Sequence, residues 1–451
     1  MRRSAMELAA LLGARLEGEA GRPVTGVAID SRAVRPGDLF VALPGERTDG
    51  HEFVAQAAAA GAAAALVSRT VSAELPTLVV PDTLAALQRL AREERAGAGY
   101  RLAAITGSIG KTTTKEFLVA LLATTFSVGF TSGSRNSQAG FPAELCNRPE
   151  GIAWMVAELG MNHAGELDRL GAIAEPDALL YTVIAPVHLE FFADVGAIAE
   201  AKAELIPHLR PEGLLILNAA DPRVAGFASR FHGNIVRYGA LGESDLWLED
   251  YRENGLLGSA FRLAGSLGTL EVKWPIPGRH QADNLLAAAT LALAVGIAPS
   301  AVGPCAVQLR PAPRRGEVHV LPGTGITVVD DSYNSSPHAA AAVLAMLAVT
   351  PGRRVAVLGE MLELGPGSPA LHREVGRKAA TAADVVVAVG GECAAELAGA
   401  ANGVETHQVA TASEALELLG RLLQPGDVVL IKGSRGIGLD LVVDGLRAEA
   451  G

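Results

Sequence analysis

Residues Thr106-Gly107-Ser108-Ile109-Gly110-Lys111-Thr112-Thr113 decide the fold of this chain. They follow the apolar run 102–105 and precede a stretch with helical spacing, so the order is strand, glycine loop, helix. Small residues in such a loop let backbone N–H groups close around a phosphate at the helix N-terminus, where the helix dipole also favours negative charge. Lys111 is placed to reach the β- and γ-phosphates of a nucleotide, and Thr112 to offer a hydroxyl to Mg2+. The strict form of this loop begins with a glycine where this chain has Ile105. The strand–loop–helix setting still marks a nucleotide site.

The reading extends outward from that loop. Apolar runs at 102–105, 153–157, 179–184 and 214–217 are separated by segments long enough for crossover helices, which predicts a buried parallel sheet. Past the proline-rich Pro311-Ala312-Pro313, runs at 326–329, 355–358, 385–389 and 428–431 repeat the rhythm, predicting a second doubly wound unit of dinucleotide-fold character. Toward the N-terminus the rhythm is lost. Short strands are expected at 24–29, 39–42 and 77–80, with an alanine-rich helix around 53–65 and a linker over 95–99. The fold class is therefore α/β with three domains, bounded at 1–98, 99–312 and 313–451.

Composition supports this and removes several functions. A chain of 451 residues with 49% apolar and 19% charged residues has enough material for several cores. Only 4% of residues are aromatic, so Ala, Leu and Val must fill those cores. Thirty-eight basic against 49 acidic residues give a net charge of −11, which supplies no overall electrostatic footprint for nucleic acid or an anionic membrane. Cys146, Cys305 and Cys393 are far apart and form no CxxC pair, so neither a disulfide framework nor a thiolate zinc site is expected. After Met1-Arg2-Arg3, Glu7 interrupts any targeting segment, and the apolar run 285–298 is too short to span a bilayer and reads as a buried helix. A soluble, cytoplasmic protein without membrane insertion is expected.

Further residues stand where chemistry is done. Glu158 ends the run 153–157 and is a candidate metal-holding carboxylate beside the glycine loop. His188 lies just past the run 179–184, at the same end of the expected sheet, as a candidate contact to metal or phosphate. Lys202 falls on the apolar stripe of an expected helix over 195–205, four residues after Ile198. Burial there would lower its pKa and leave an amine able to react with carbon dioxide; the alternative is a side chain that reaches past the stripe to water. Asp330-Asp331-Ser332-Tyr333-Asn334 and Lys432-Gly433-Ser434-Arg435 follow strands of the second unit, at the edge where open α/β sheets hold ligands.

Taken in this order, these elements resemble the Mur ligase family over nearly the whole chain, and most closely its member that adds a terminal dipeptide. The resemblance implies a small α/β N-terminal domain holding a uridine-linked substrate, a central P-loop ATPase domain with a parallel sheet, and a C-terminal Rossmann-like domain. Asp30-Ser31-Arg32, 36–40 and Asp49-Gly50-His51 look like the N-terminal motifs, making Ser31, Arg32, Asp49 and His51 substrate contacts. The stretch Thr106, Gly107, Ser108, Ile109, Gly110, Lys111, Thr112, Thr113 and on to Lys115-Glu116 looks like the ATP loop. His188-Leu189-Glu190 and Lys202 match the family's magnesium-binding histidine and carbamylated lysine, with Thr112 and Glu158 as the other metal ligands. Gly278, His280 and Asn284 match the motif near adenine, Asp331 the ribose contact, and Arg315 a phosphate contact. Asn136, Ser137, Asn334, Lys432 and Arg435 are implied substrate contacts, and the segment 361–372 is typical of the dipeptide-adding member.

The implied activity is ATP-dependent joining of D-alanyl-D-alanine to UDP-N-acetylmuramoyl-tripeptide through an acyl phosphate, in peptidoglycan precursor synthesis, with Mg2+ and in a monomer. Lys111, Lys202 and His188 are the implied catalytic residues. The chain departs from the family pattern at Gly133-Ser134-Arg135-Asn136-Ser137, at Gln281 and at Gly438-Leu439-Asp440. Two other readings are a sibling or folylpolyglutamate-type ligase of the same fold, and a P-loop switch that hydrolyses ATP without ligation. The absence of an Asp-Asn-Pro-Arg motif counts against the diamino-acid-adding sibling.

Overall fold

A computed structural model describes residues 1–19, 21–45, 48–187 and 189–449. At its centre is a six-stranded, wholly parallel sheet in the order Asn234–Tyr238, Leu214–Asn218, Ala178–Tyr181, Arg101–Thr106, Trp154–Glu158, Val128–Phe130. The strand Arg101–Thr106 is buried along all but its first residue because helices cover both faces of the sheet. Its side chains alternate between the two layers. Leu102 and Ala104 pack with Leu170 and Leu205 on one face, and Ala103 and Ile105 with Leu118, Leu121 and Leu285 on the other. Most of the apolar run 285–298 lies, as expected, in a buried helix, Arg279–Ala294, which packs against the P-loop helix Lys111–Ala123; the last four residues of the run lie beyond it, and Ala298 is exposed.

A second six-stranded sheet follows in the order Glu317–Val320, Thr327–Asp331, Val428–Lys432, Arg354–Gly359, Val385–Val389, Glu405–Val409. It is parallel apart from its first strand, which pairs antiparallel. Its register sets Asp331 opposite Lys432 at the carboxyl edge, where the second and third strands end side by side. The expected strands at 326–329, 355–358, 385–389 and 428–431 are all present within a residue or two at each end.

Residues toward the N-terminus depart from expectation. Gly26–Ala28, Asp38–Val41, Ala64–Val67 and Thr77–Val79 form parallel ladders, so a βαβ rhythm exists there, written in strands of three or four residues. The helix expected over 53–65 is only Val54–Ala59. The chain reverses at Gly61, and Ala64–Val67 is a fully buried strand, because pairing with a strand on each side overrides the helix preference of alanine, whose small side chain fits the crowded interior. Arg95, expected to begin a linker, sits in the last turn of the helix Thr83–Ala96 and is buried. Its guanidinium donates to Ala174 O, Tyr100 O and Glu175 O and pairs with Asp177, binding that helix to the central sheet's loops. A three-stranded antiparallel sheet, Trp247–Glu253, Ser259–Ala264 and Leu270–Trp274, was not anticipated. Trp274 meets Phe117 of the P-loop helix edge-on, with ring centroids 5.2 Å apart. No helix among the described residues is long and apolar enough to cross a membrane.

Candidate active site

The strand Arg101–Thr106 ends in a loop whose two glycines have positive φ, +142° at Gly107 and +85° at Gly110. At both positions a side chain would also collide with a neighbour: Thr182 Oγ1 at Gly107, and Asn284 Oδ1 at Gly110. The helix Lys111–Ala123 then starts with no side-chain cap, so its first N–H groups are open to an anion. Ser108 ties the loop to the next strand's exit, its Oγ donating to Ala185 O and accepting from Ala185 N, both at 3.0 Å. Lys111 Nζ lies over the loop, donating to Gly107 O at 3.0 Å and Ser108 O at 3.2 Å. Gly110→Ala combines a left-handed backbone with steric overlap, which costs of order 1–3 kcal/mol. ADP affinity measured by calorimetry is expected to fall about tenfold or more; an unchanged affinity would contradict this loop conformation.

Parallel pairing sets Glu158 beside Ile105, at the end of the strand Trp154–Glu158. Glu158 is 2% exposed, its Oε2 accepting from Thr112 Oγ1 at 2.7 Å and its Oε1 from Asn136 Nδ2 at 2.6 Å. A hydroxyl and a carboxylate oxygen that meet in this way are hard oxygen donors, the chemistry a Mg2+ ion selects.

Lys202 belongs to the helix Val195–Ala203, capped by Asp194, and is 2% exposed, so its side chain does not reach past the apolar stripe to water. Burial first, and then the positive charge of Lys111, push its ammonium well below the usual lysine range, while Glu158 pulls the other way. Lys111 is lowered in turn by burial and by Arg315, against Glu158. Cations crowded and buried in this way are relieved by an anionic ligand, the arrangement expected where phosphate charge develops.

These groups line one cleft of about 740 Å³, in which the central sheet's loops face those of the C-terminal sheet. From the C-terminal side come Arg315, Asp331, Tyr333, Asn334, Lys432 and Arg435. Lys432 Nζ pairs with Asp331 at 2.7 Å and donates to Asn334 O at 3.0 Å. Tyr333 lies between two guanidiniums, Arg315 at 4.0 Å and Arg435 at 5.7 Å from its ring centroid. His280 and Asn284 enter from the helix Arg279–Ala294. The buried Nδ1 of His280 has no partner among the described residues, and burial lowers that imidazole to about 4. A buried ring nitrogen facing the cleft without a partner is what a polar ligand would satisfy.

The remaining expected residues fall in three groups. Ser108, Ile109, Gly110, Thr112, Thr113 and Asn136 line the cleft, whereas Thr106, Gly107 and Ser137 do not. Thr106 Oγ1 donates to Leu159 O inside the fold, and Ser137 Oγ accepts from Gly140 N. Ser31, Arg32, Asp49 and His51 lie in the N-terminal part and also lie outside this cleft. There Ser31 donates to Gln56, and the exposed Arg32 pairs with Asp30. Both nitrogens of the His51 ring are engaged, Nδ1 with Asp49 at 2.6 Å and Nε2 accepting from Ser68 N at 2.8 Å, so His51 is built into the fold and presents no free ring atom to a substrate. His188 is outside the described residues.

Two further sets of residues line the cleft, one from the segment 361–372 singled out above though not as site residues, the other without any such signal. Leu362, Glu363 and Leu364 line the cleft from a loop docked against the central part, where Glu190 N donates to Glu363 O. Asn218, Tyr238 and Gly239 line it on the other side. The pairing of Leu214–Asn218 with Asn234–Tyr238 brings them together, and no local signal announces it.

Comparison with known proteins agrees with this geometry. Residues 105–292 match the Mur ligase middle domain, 314–435 the Mur ligase glutamate ligase domain, and 23–95 the Mur ligase family catalytic domain. The chain is 34% identical to the UDP-N-acetylmuramoyl-tripeptide–D-alanyl-D-alanine ligase of Escherichia coli, over 98% of this chain and 97% of the relative. A crystal structure of MurF from Acinetobacter baumannii superposes with a TM-score of 0.90 at 31% identity, covering 99% of both chains. MurF ligase from Thermotoga maritima, solved in complex with ADP, gives a TM-score of 0.81 at 30% identity over 94% of this chain and 98% of that one. Identity at this level, sustained from end to end in sequence and in fold, goes beyond shared architecture: the chain belongs to the Mur ligase family.

Proposed function

We propose that the chain is an ATP-dependent amide ligase joining D-alanyl-D-alanine to the terminal carboxylate of UDP-N-acetylmuramoyl-tripeptide. One observation carries the reading: Lys111, the Thr112–Glu158 pair and the buried Lys202 converge on a single cleft closed from the other side by Asp331 and Tyr333. Transferring a phosphoryl group from ATP to a carboxylate brings two anions together, so cations must face the transferring oxygens. Lys111 is such a cation, held over the loop that would cradle the phosphates. Thr112 and Glu158 would hold one Mg2+, and Lys202 with His188 a second; bound magnesium neutralises phosphate charge as it shifts.

Lys202 would contribute as a carbamate. Its neutral amine adds to carbon dioxide, releasing one proton, which turns a buried amine into an anionic oxygen ligand. The substrate's acyl phosphate is then attacked by the dipeptide amine and phosphate leaves. The C-terminal wall of the cleft keeps water from that acyl phosphate. Arg315 would meet phosphate and Asp331 the ribose. Ser31, Arg32 and Asp49 would hold the uridine end, with His51 positioning Asp49. The domain bounds 1–98, 99–312 and 313–451, a monomeric state and a cytoplasmic site of action belong to the same reading.

Lys432 holds Asp331 in the cleft, so the two residues should act together. Asp331→Ala is expected to raise KM for ATP about tenfold and KM for either peptide substrate far less, and Lys432→Met should reproduce the pattern. A larger effect on the peptide substrates would move Asp331 out of the nucleotide site.

The reading itself is tested by incubating the protein with ATP, Mg2+ and UDP-N-acetylmuramoyl-tripeptide, with and without D-alanyl-D-alanine, and weighing the products by mass spectrometry. A gain of one dipeptide matched by ADP release is expected. ADP release that needs no acceptor would instead indicate a P-loop switch. An adduct formed only with a different amino acid would indicate a sibling ligase.

A further inference from the structure

Lys115 stands one turn after Lys111 on the P-loop helix and is completely buried. Its ammonium donates to Thr131 O at 2.6 Å and Gly133 O at 2.8 Å and lies 2.9 Å from Glu116 Oε1. Three acceptors match its three donors, which is what a buried ammonium requires. Two of the three are backbone carbonyls of the loop between the strand Val128–Phe130 and the helix Gly140–Cys146. The opposite side of that loop is held by Glu144, which accepts from Ser132 N at 3.0 Å and pairs with Arg135 at 2.8 Å.

What the loop presents gives this clamp a function. Its Asn136 donates to Glu158 Oε1, leaving Oε2 for Thr112. Its Thr131 Oγ1 accepts from the backbone N–H of Glu158 at 3.2 Å. Its Ser134 hydrogen-bonds Tyr333 across the cleft. The carboxylate is thus oriented from the loop, and the loop from Lys115.

We infer that Lys115 is a positioning residue of the ligation reaction, clamping the 131–136 loop so that Asn136 orients Glu158 and Ser134 meets Tyr333. The role rests on the function proposed above but makes no contact with substrate. Methionine at this position keeps the length of the side chain while leaving the Thr131 and Gly133 carbonyls without their donor.

The test uses the full chain and a fluorescent ADP analogue whose binding is followed while MgCl2 is titrated, a readout independent of ligation. For Lys115→Met the magnesium concentration giving half-maximal nucleotide binding is expected to rise about tenfold, the scale on which residues behind a metal ligand act. Asn136→Ala should shift it comparably, and the double variant no further than the larger single one, because both act through the same carboxylate. Lys115→Gln, which keeps amide donors for the loop carbonyls, should shift it in the same direction by about threefold. It decides the question alone if the methionine variant does not fold. Magnesium dependence within twofold of the parent in the folded Lys115 variants, or additive effects with Asn136→Ala, overturns the inference. Failure of the parent to make the dipeptide adduct would overturn the proposed reaction while leaving this magnesium readout intact.

Discussion

Lys111→Ala is expected to lower kcat for ligation about 10³-fold, the scale seen when a preorganised donor to developing charge is removed. Such a loss corresponds to roughly 4 kcal/mol of transition-state stabilisation. The effect is local, because among the described residues Lys111 Nζ bonds only to its own loop, at Gly107 O and Ser108 O, and bridges no separate elements. The helix Lys111–Ala123 stays anchored by Phe117, Leu118, Leu121 and Leu122, all buried. The variant should therefore keep its circular dichroism spectrum and thermal midpoint while losing turnover. ADP release in the presence of both peptide substrates is the measurement; turnover within tenfold of the parent would sink the assignment of this loop. Lys111→Arg is not expected to restore activity, since a planar guanidinium does not replace a compact ammonium over the same two carbonyls.

Lys202→Ala is expected to be nearly as severe, about 10²-fold or more in kcat, and to differ from Lys111→Ala in being open to chemical rescue. The amine lies in a place that disfavours its own charge: burial and Lys111 both push its pKa well down. Only a neutral amine adds carbon dioxide, which burial secures, and the positive charge of Lys111 that disfavours an ammonium there favours an anionic carbamate. In the alanine variant a short carboxylate such as acetate fits the space and supplies similar oxygens. Activity recovered in proportion to added acetate, with no such response in the parent or in Lys111→Ala, is the expected outcome. If acetate and its homologues leave the variant inactive while it still binds ADP, the carbamate loses its support and Lys202 is left as a buried amine beside Lys111.

Much of the site is legible along the chain because its chemistry is local or periodic. The loop from Thr106 to Thr113 announces itself by glycine spacing, and Glu158 by ending an apolar run. Lys202 stands out because a charged residue on the apolar stripe of a helix breaks a pattern, but the stripe left open whether its amine reaches water, and the fold buries it. Lys115 is legible only as part of a motif. Its neighbours in sequence do not reveal that its ammonium faces inward to Thr131 and Gly133. The alanine-rich stretch 53–65 misleads for the opposite reason: its composition fits both a helix and a crowded parallel strand, and the choice between them falls to the strands on either side of Ala64–Val67.

The sequence by itself determined the α/β class of this protein, with parallel sheets from apolar runs and a glycine loop from residue spacing, and it singled out Glu158 and Lys202 as candidates from their places in those patterns. Tertiary structure alone decided how the pieces act on one another. Ser134 reaches Tyr333 across 199 positions, Asn284 crowds Gly110 from 174 residues away, and Lys432 grips Asp331 across 101. The physical reason is range. Backbone propensity and side-chain periodicity act over a few residues and can be read along the chain, whereas register, domain packing and the lowering of Lys202 by burial and by Lys111 exist only once distant segments share a desolvated space.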